Sequence, residues 1–340
     1  MGASVGRSAP TTDLVTLGET MALLSAPRVG QLRRMPHLDL STAGAESNVA
    51  VGLRRLGHQA TWIGRVGDDE FGQLILANLR AEGVDVSRAR VDHDAQTALM
   101  VKERRTEEVV RVRYYRSGYA GSRLEPDDLE EDVVAGARVL HVTGITPALS
   151  PSARAATWRA VELARRAGAT VSVDLNYRAA LWPPAEAAPE LSHLASRADI
   201  VFAGDDELAL VTGDHKDPGA DAGGGPPTTS ELAAAARQVG DDGAREVVVK
   251  LGPAGALYVR GTDVVEQSAV PVRAFDPVGA GDAFVAGYLS ALLDGSDVPA
   301  RLHRGCLTGA FAVSVAGDWE GLPGRGDLGL LGLRPGSTLR

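Results

Sequence analysis

The chain has 340 residues, 44% apolar and 23% charged, enough apolar side chain for one large α/β domain or two small ones. Its net charge of −9, from 35 basic and 44 acidic residues, argues against a nucleic-acid partner, and no apolar run is long enough to cross a bilayer. The first dozen residues lack the basic-then-apolar pattern of a secretory leader, and a single cysteine, Cys306, excludes an internal disulfide, so a cytoplasmic location is expected.

In chain order, short β-branched runs alternate with helical patterns. Strands are predicted at 14–17, 60–64, 139–142, 170–174, 200–202 and 247–250, and helices at 45–56, 71–82, 152–167, 230–239, 283–293 and 301–315. The alternation predicts βαβ units: a mostly parallel sheet flanked by helices on both faces. Residues 97–102 and 109–116 break the rhythm. They alternate as two strands with no helix between them, joined by a polar stretch, and predict a small sheet beside the main layer, a lid. Residues 213–229, with Gly223-Gly224-Gly225-Pro226-Pro227, read as a mobile surface loop, and 1–12 and 325–340 as loose tails.

Chemistry concentrates in five places. Asp276-Pro277-Val278-Gly279-Ala280-Gly281-Asp282 opens an apolar helix. Gly279 and Gly281 let backbone N–H groups converge, and the first helical turn leaves its N–H groups unpaired, so the segment suits a phosphate. Gly281 is expected at positive φ, where a β-branched residue fails. Asp282 in such a hole repels phosphate but suits a base that takes a proton from an attacking hydroxyl; the competing reading is an ordinary helix-start residue. Gly44 opens a second helix, with Asn48 one turn later on the same side; a plain glycine turn with a polar helix face explains this equally.

In the strand 110–116, alternation puts Val112, Tyr114 and Arg116 on one face and Arg111, Arg113 and Tyr115 on the other. A phenol and a guanidinium on one face suit hydroxyls and a carboxylate, and a solvated edge strand is the alternative. Asn176 and Arg178 follow a probable central strand, at the end where α/β sheets bind ligands. Lys250-Leu251-Gly252-Pro253-Ala254-Gly255-Ala256 leaves a strand through a turn that either admits a nucleotide or is simply tight. Neither GxxxxGK[ST] nor a GxGxxG after the first strand is present, and the seven histidines and one cysteine lack zinc spacing.

Taken together and in this order, the segments resemble the ribokinase-like phosphofructokinase-B sugar kinases, from residue 13 to about 322. Residues 139–151 (VLHVTGITPALSP), 114–122 (YYRSGYAGS) and 174–182 (DLNYRAALW) resemble more narrowly the 2-keto-3-deoxygluconate kinases. The resemblance implies a single ribokinase-like domain over 13–322, lid strands near 32–40 and 97–118, and phosphorylation of 2-keto-3-deoxy-D-gluconate to its 6-phosphate with ATP and Mg²⁺. It implies Asp282 as the base and Gly279, Ala280 and Gly281 as the anion hole. Gly44, Ala45, Glu46, Ser47, Asn48, Met100, Tyr114, Arg116, Arg178 and Asp318 would hold the sugar acid. Asn176, Gly204, Lys250, Gly252, Gly255, Ala256 and Cys306 would border the nucleotide, Glu207 would lie near magnesium, and the lid would pair subunits into a homo-oligomer.

Four positions depart from the pattern. Ala43 replaces a glycine, Met100 a substrate-touching tyrosine, Gly204 a polar residue and Cys306 an asparagine. Two rivals remain: a kinase for a neutral ketose or nucleoside, and a non-catalytic sugar-sensing protein.

Overall fold

A computed structural model describes residues 10–106, 109–214 and 226–333. Eight strands form the main sheet: β1 (Thr12–Leu17), β4 (Ala60–Ile63), β9 (Ala137–Thr143), β10 (Thr170–Asp174), β11 (Ile200–Gly204), β12 (Glu246–Lys250), β13 (Ala256–Arg260) and β14 (Asp263–Gln267). Their order is β14-β13-β12-β11-β10-β9-β1-β4. The six strands from β4 to β12 are parallel; β13 and β14 extend the sheet antiparallel through tight turns.

The helices are α1 (Ala45–Arg55), α2 (Glu70–Ala81), α3 (Glu131–Ala135), α4 (Ile145–Leu149), α5 (Pro151–Ala167), α6 (Pro184–Ser196), α7 (Asp205–Thr212), α8 (Thr229–Asp241), α9 (Ala280–Leu293) and α10 (Val298–Val313). Because side chains alternate along a strand, Val247 and Val249 of β12 face the core shared with α5, α6 and α8, while Val248 faces the core shared with α1, α2, α9 and α10. Helix α9 is apolar nearly all round because it is buried nearly all round, packed between the sheet, α1 and α10. The mostly parallel, two-faced architecture is therefore as expected. Among the described residues no helix is long and apolar enough to cross a membrane.

The lid is a four-stranded sheet, β3-β2-β7-β8, made of β2 (Met21–Ser25), β3 (Asp39–Ala43), β7 (Leu99–Arg104) and β8 (Val110–Tyr115). β7 and β8 form the expected antiparallel pair. The lid strand expected near 32–40 needs correction: Leu32–Arg34 is a 3₁₀ turn, and the strand runs Asp39–Ala43 against β2, a strand that sequence reading did not predict. A small parallel pair, β5 (Arg65–Gly67) and β6 (Arg90–Asp92), completes the strands.

The tail boundaries also shift. Thr12 already belongs to β1, and Arg325–Asp327 forms a 3₁₀ turn. Arg325 donates to the Leu56 carbonyl at 2.8 Å and pairs with Asp294 at 3.0 Å, which ties this stretch down. Of the loop expected over 213–229, residues 215–225 lie outside the described residues, and Thr228 already caps α8.

Candidate active site

Three clusters form where the parallel strands end and α9 begins. The first surrounds Asp282, in the first turn of α9. Asn48 of α1 donates from Nδ2 to Asp282 Oδ2 and to Asp318 Oδ2, both at 2.8 Å, so one amide bridges two buried carboxyl groups. Burial, then the neighbouring Asp318 charge, push the Asp282 carboxyl up to about 7, although the Asn48 bond and Arg178 pull the other way. Asp318 is likewise raised, chiefly by burial.

The N-cap Gly279 has φ +78°, and a Cβ there would lie 1.9 Å from the Asp318 carbonyl oxygen, so no other residue fits. The expectation for Gly281 is corrected: it lies inside the helix, not at positive φ, and a Cβ there would meet only Lys250 Nζ, at 3.5 Å. The Gly281 and Asp282 N–H groups have no acceptor among the described residues and stand open at the positive end of the helix dipole.

The second cluster lies beside it at the ends of β10, β11 and β12. Lys250 Nζ donates to both carboxylate oxygens of Asp174, at 2.7 and 2.6 Å. Burial pulls the ammonium's pKa down, but Asp174 and Glu207 outweigh that and leave it raised. Glu207 accepts the Gly204 N–H at 2.7 Å and the Tyr177 N–H at 2.8 Å, which fastens α7 to the loop after β10. Asn176 sits in that loop, buried and at φ +38°. Gly252 and Gly255 form the turn from β12 to Ala256 of β13, both at positive φ.

Among the described residues no three acidic, histidine or cysteine side chains gather as a metal cage. Each Glu207 oxygen keeps a lone pair beyond its backbone bond, the donor chemistry that Mg²⁺ takes. Cys306, on α10, is buried in the apolar core, which pushes its thiol up to about 11.

The third cluster is a cleft of about 880 Å³ between β8 and residues 177–181, where Tyr114, Arg116 and Arg178 converge. Because β8 is an edge strand, Arg113 and Tyr115 from its other face line the same cleft. Arg116 already has a partner: its Nη2 lies 2.6 Å from Glu19 Oε2, in the turn between β1 and β2. Arg178 is exposed and has no carboxylate partner among the described residues.

Several expected substrate contacts sit elsewhere. Glu46 is buried, accepting from Thr143 at 2.7 Å and Thr146 at 2.6 Å, and Ser47 bonds back to the Gly44 carbonyl, so of the 44–48 segment only Asn48 reaches the Asp282 cluster. Met100 packs in the lid's own apolar cluster with Met21, Leu23, Ala43 and Ala98. Sequence reading missed Glu19, Asp174 and Lys102; the signal for Asp174 was present, an acidic residue closing a central strand.

The description "pfkB family carbohydrate kinase" fits residues 11–324. The chain is similar, at 39% identity over 317 residues, to a 2-dehydro-3-deoxygluconokinase of Bacillus subtilis (strain 168), covering 92% of this chain and 93% of that protein. It is 37% identical over 309 residues to a 2-dehydro-3-deoxygalactonokinase of Haloferax volcanii, with 91% and 93% covered. A crystal structure of a PfkB protein from Polaromonas sp. JS666 matches it with a TM-score of 0.81 at 38% identity, over 94% of this chain and 99% of that one. The chain belongs to the pfkB family of carbohydrate kinases.

Proposed function

We propose that the protein phosphorylates 2-keto-3-deoxy-D-gluconate (2-dehydro-3-deoxygluconate) on its terminal hydroxyl, with ATP as donor and Mg²⁺ as the accompanying ion. The observation that carries this reading is Asp282: a buried carboxyl pushed up to about 7, held by Asn48, in the first turn of a helix whose Gly281 and Asp282 N–H groups are open. A base poised near neutrality combines enough ionised form with enough proton affinity. Asp282 takes the proton from the sugar hydroxyl as the oxygen attacks the γ-phosphate in line, and the backbone at Gly279, Ala280 and Gly281 receives the charge that develops on the transferring group. Lys250, fixed by Asp174 beside Gly281, lines the donor phosphates together with the Gly252–Ala254 turn. Mg²⁺ supplies further charge neutralisation there, with Glu207 as the nearby carboxylate.

Substrate charge follows from the cleft. Arg178 presents a guanidinium with no carboxylate partner among the described residues, and a sugar carboxylate matches it in charge and planar geometry. Arg116, Tyr114 and Asp318 complete the sugar side. The lid's outer face, with Leu40 and Tyr115 each about half exposed beside Leu24, Leu99 and Val101, is the surface we assign to a second copy of the chain, a pairing that light-scattering mass tests. The reducing cytoplasm is the proposed location, consistent with the one free thiol.

The test is coupled ADP release with 2-keto-3-deoxygluconate, its C4 epimer 2-keto-3-deoxygalactonate, fructose and ribose side by side. The proposal expects the gluconate to have the highest kcat/KM; faster turnover of a neutral sugar removes the sugar-acid assignment and leaves a kinase.

A further inference from the structure

We propose that Lys102 is a positioning residue for phosphoryl transfer: a lid-borne ammonium that fixes Asp276 and, through it, the two loops that shape the anion hole. The proposal rests on reading the start of α9 as the phosphoryl site. Lys102 is on β7, and its ammonium pairs with Asp276 Oδ2 across 174 positions of sequence; both side chains are buried.

Asp276 is a hub. Its Oδ1 accepts the Val278 N–H at 3.3 Å, shaping the turn into Gly279, and its Oδ2 accepts the Gly317 N–H at 3.4 Å. Lys102 Nζ also lies 3.5 Å from the Gly317 carbonyl oxygen. Gly317 precedes Asp318, whose carbonyl occupies the space beside Gly279 and whose carboxyl shares Asn48 with Asp282. One ammonium therefore ties the loop leading into the anion hole to the loop that abuts it. The grip is reinforced two residues along β7: Arg104 donates to the Phe275 carbonyl at 2.7 Å and lies 4.3 Å over the Phe275 ring. Val278 meanwhile packs on the lid's apolar cluster.

This pair does more than add stability. Buried ion pairs are often replaceable by apolar pairs without loss of stability, so their charge contributes chiefly by defining one geometry. Here the geometry defined is that of the open N–H groups. Displacing such a site by about 1 Å costs on the order of 10²-fold in rate.

The experiment compares wild type, Lys102→Met, and the double variant Lys102→Met with Asp276→Asn, reading Tm, kcat and both KM values. Lys102→Met leaves the Asp276 carboxylate buried and unpaired, and is expected to lower Tm; the double variant removes both charges and keeps the interior neutral. The proposal expects the double variant to recover Tm while kcat stays roughly 10²-fold below wild type, with KM for ATP and sugar within a few-fold. A double variant whose kcat returns with its Tm overturns the proposal, because the pair would then be structural only. If Lys102→Met does not fold, the double variant still carries the test. Rates are taken with whichever sugar the wild type phosphorylates best, so failure of the sugar-acid assignment changes the acceptor and leaves the ratio between variants readable.

Discussion

The two sides of the proposed active site, the phosphoryl side around α9 and the sugar side in the cleft, are built in different ways. Around α9 the carboxyl groups are buried and each is held by a fixed partner: Asp282 and Asp318 by the Asn48 amide, Asp174 by Lys250, Asp276 by Lys102. Across the cleft, Arg178 is exposed and has no carboxylate partner among the described residues, Tyr114 is 41% exposed, and the lid that carries Tyr114 rests on a five-residue apolar cluster. Moving a phosphoryl group requires fixed dipoles and tolerates little displacement, whereas choosing a sugar needs only a few adjustable side chains at an edge. The contrast predicts that changes on the phosphoryl side act on kcat and changes in the cleft act on KM.

The largest expected effect is that of Asp282→Asn. The amide keeps the shape and the Asn48 contact but cannot accept the proton, so kcat should fall by about 10²–10⁴-fold while ATP binding is little changed. Titration of ATP by calorimetry alongside the rate assay checks both halves; turnover within a few-fold of wild type would remove Asp282 from the role of base.

Cleft substitutions should be milder and should separate the two arginines. Arg178→Lys keeps the charge and loses the planar fork, so KM for the sugar acid should rise roughly 10-fold with KM for ATP unmoved. Arg116→Lys should do the same and, in addition, lower Tm, because Arg116 answers the buried Glu19 carboxylate whereas Arg178 is exposed and in no salt bridge among the described residues. Equal loss of Tm in both variants would contradict the difference drawn between them.

The smallest effect concerns stability and runs opposite to activity. The Asp282 carboxyl is raised in the folded protein, so folding favours its protonated form, and stability is lost as pH rises from the unfolded carboxylate range toward 7. Asp282→Asn removes that penalty and should raise Tm at pH 8 by about 2–4 °C, and by less at pH 5. An equal change in Tm at both values would mean that the carboxyl is not strained by ionisation.

Sequence alone made much of this legible where the signal was local. The βαβ rhythm, the β7–β8 pair and the helix entered through Gly279 all come from patterns within a dozen residues. What it missed was long-range or disguised. Lys102 meets Asp276 through folding of the lid, which no spacing encodes. Glu46 was expected to hold the sugar acid, yet Thr143 at the end of β9 and Thr146 just beyond it take its carboxylate in the interior. β2 was not predicted: Met21–Ser25 follows β1 after only Gly18-Glu19-Thr20, and Glu19 in that turn was missed with it. Gly281 was given the backbone role that belongs to Gly279, since either glycine satisfies the motif and only the helix start separates them.

The central claim, that Asp282 is the proton acceptor in sugar phosphorylation, is tested most directly by the pH dependence of kcat/KM for 2-keto-3-deoxygluconate under saturating ATP. Asp282 must be ionised to act, so the rate should rise with pH along an acid limb whose apparent pKa lies near the value of about 7 that burial and Asp318 impose. The residual activity of Asp282→Asn should show no such limb. A wild-type profile flat from about pH 5 to pH 8, or the same limb in the Asp282→Asn variant, would contradict the account.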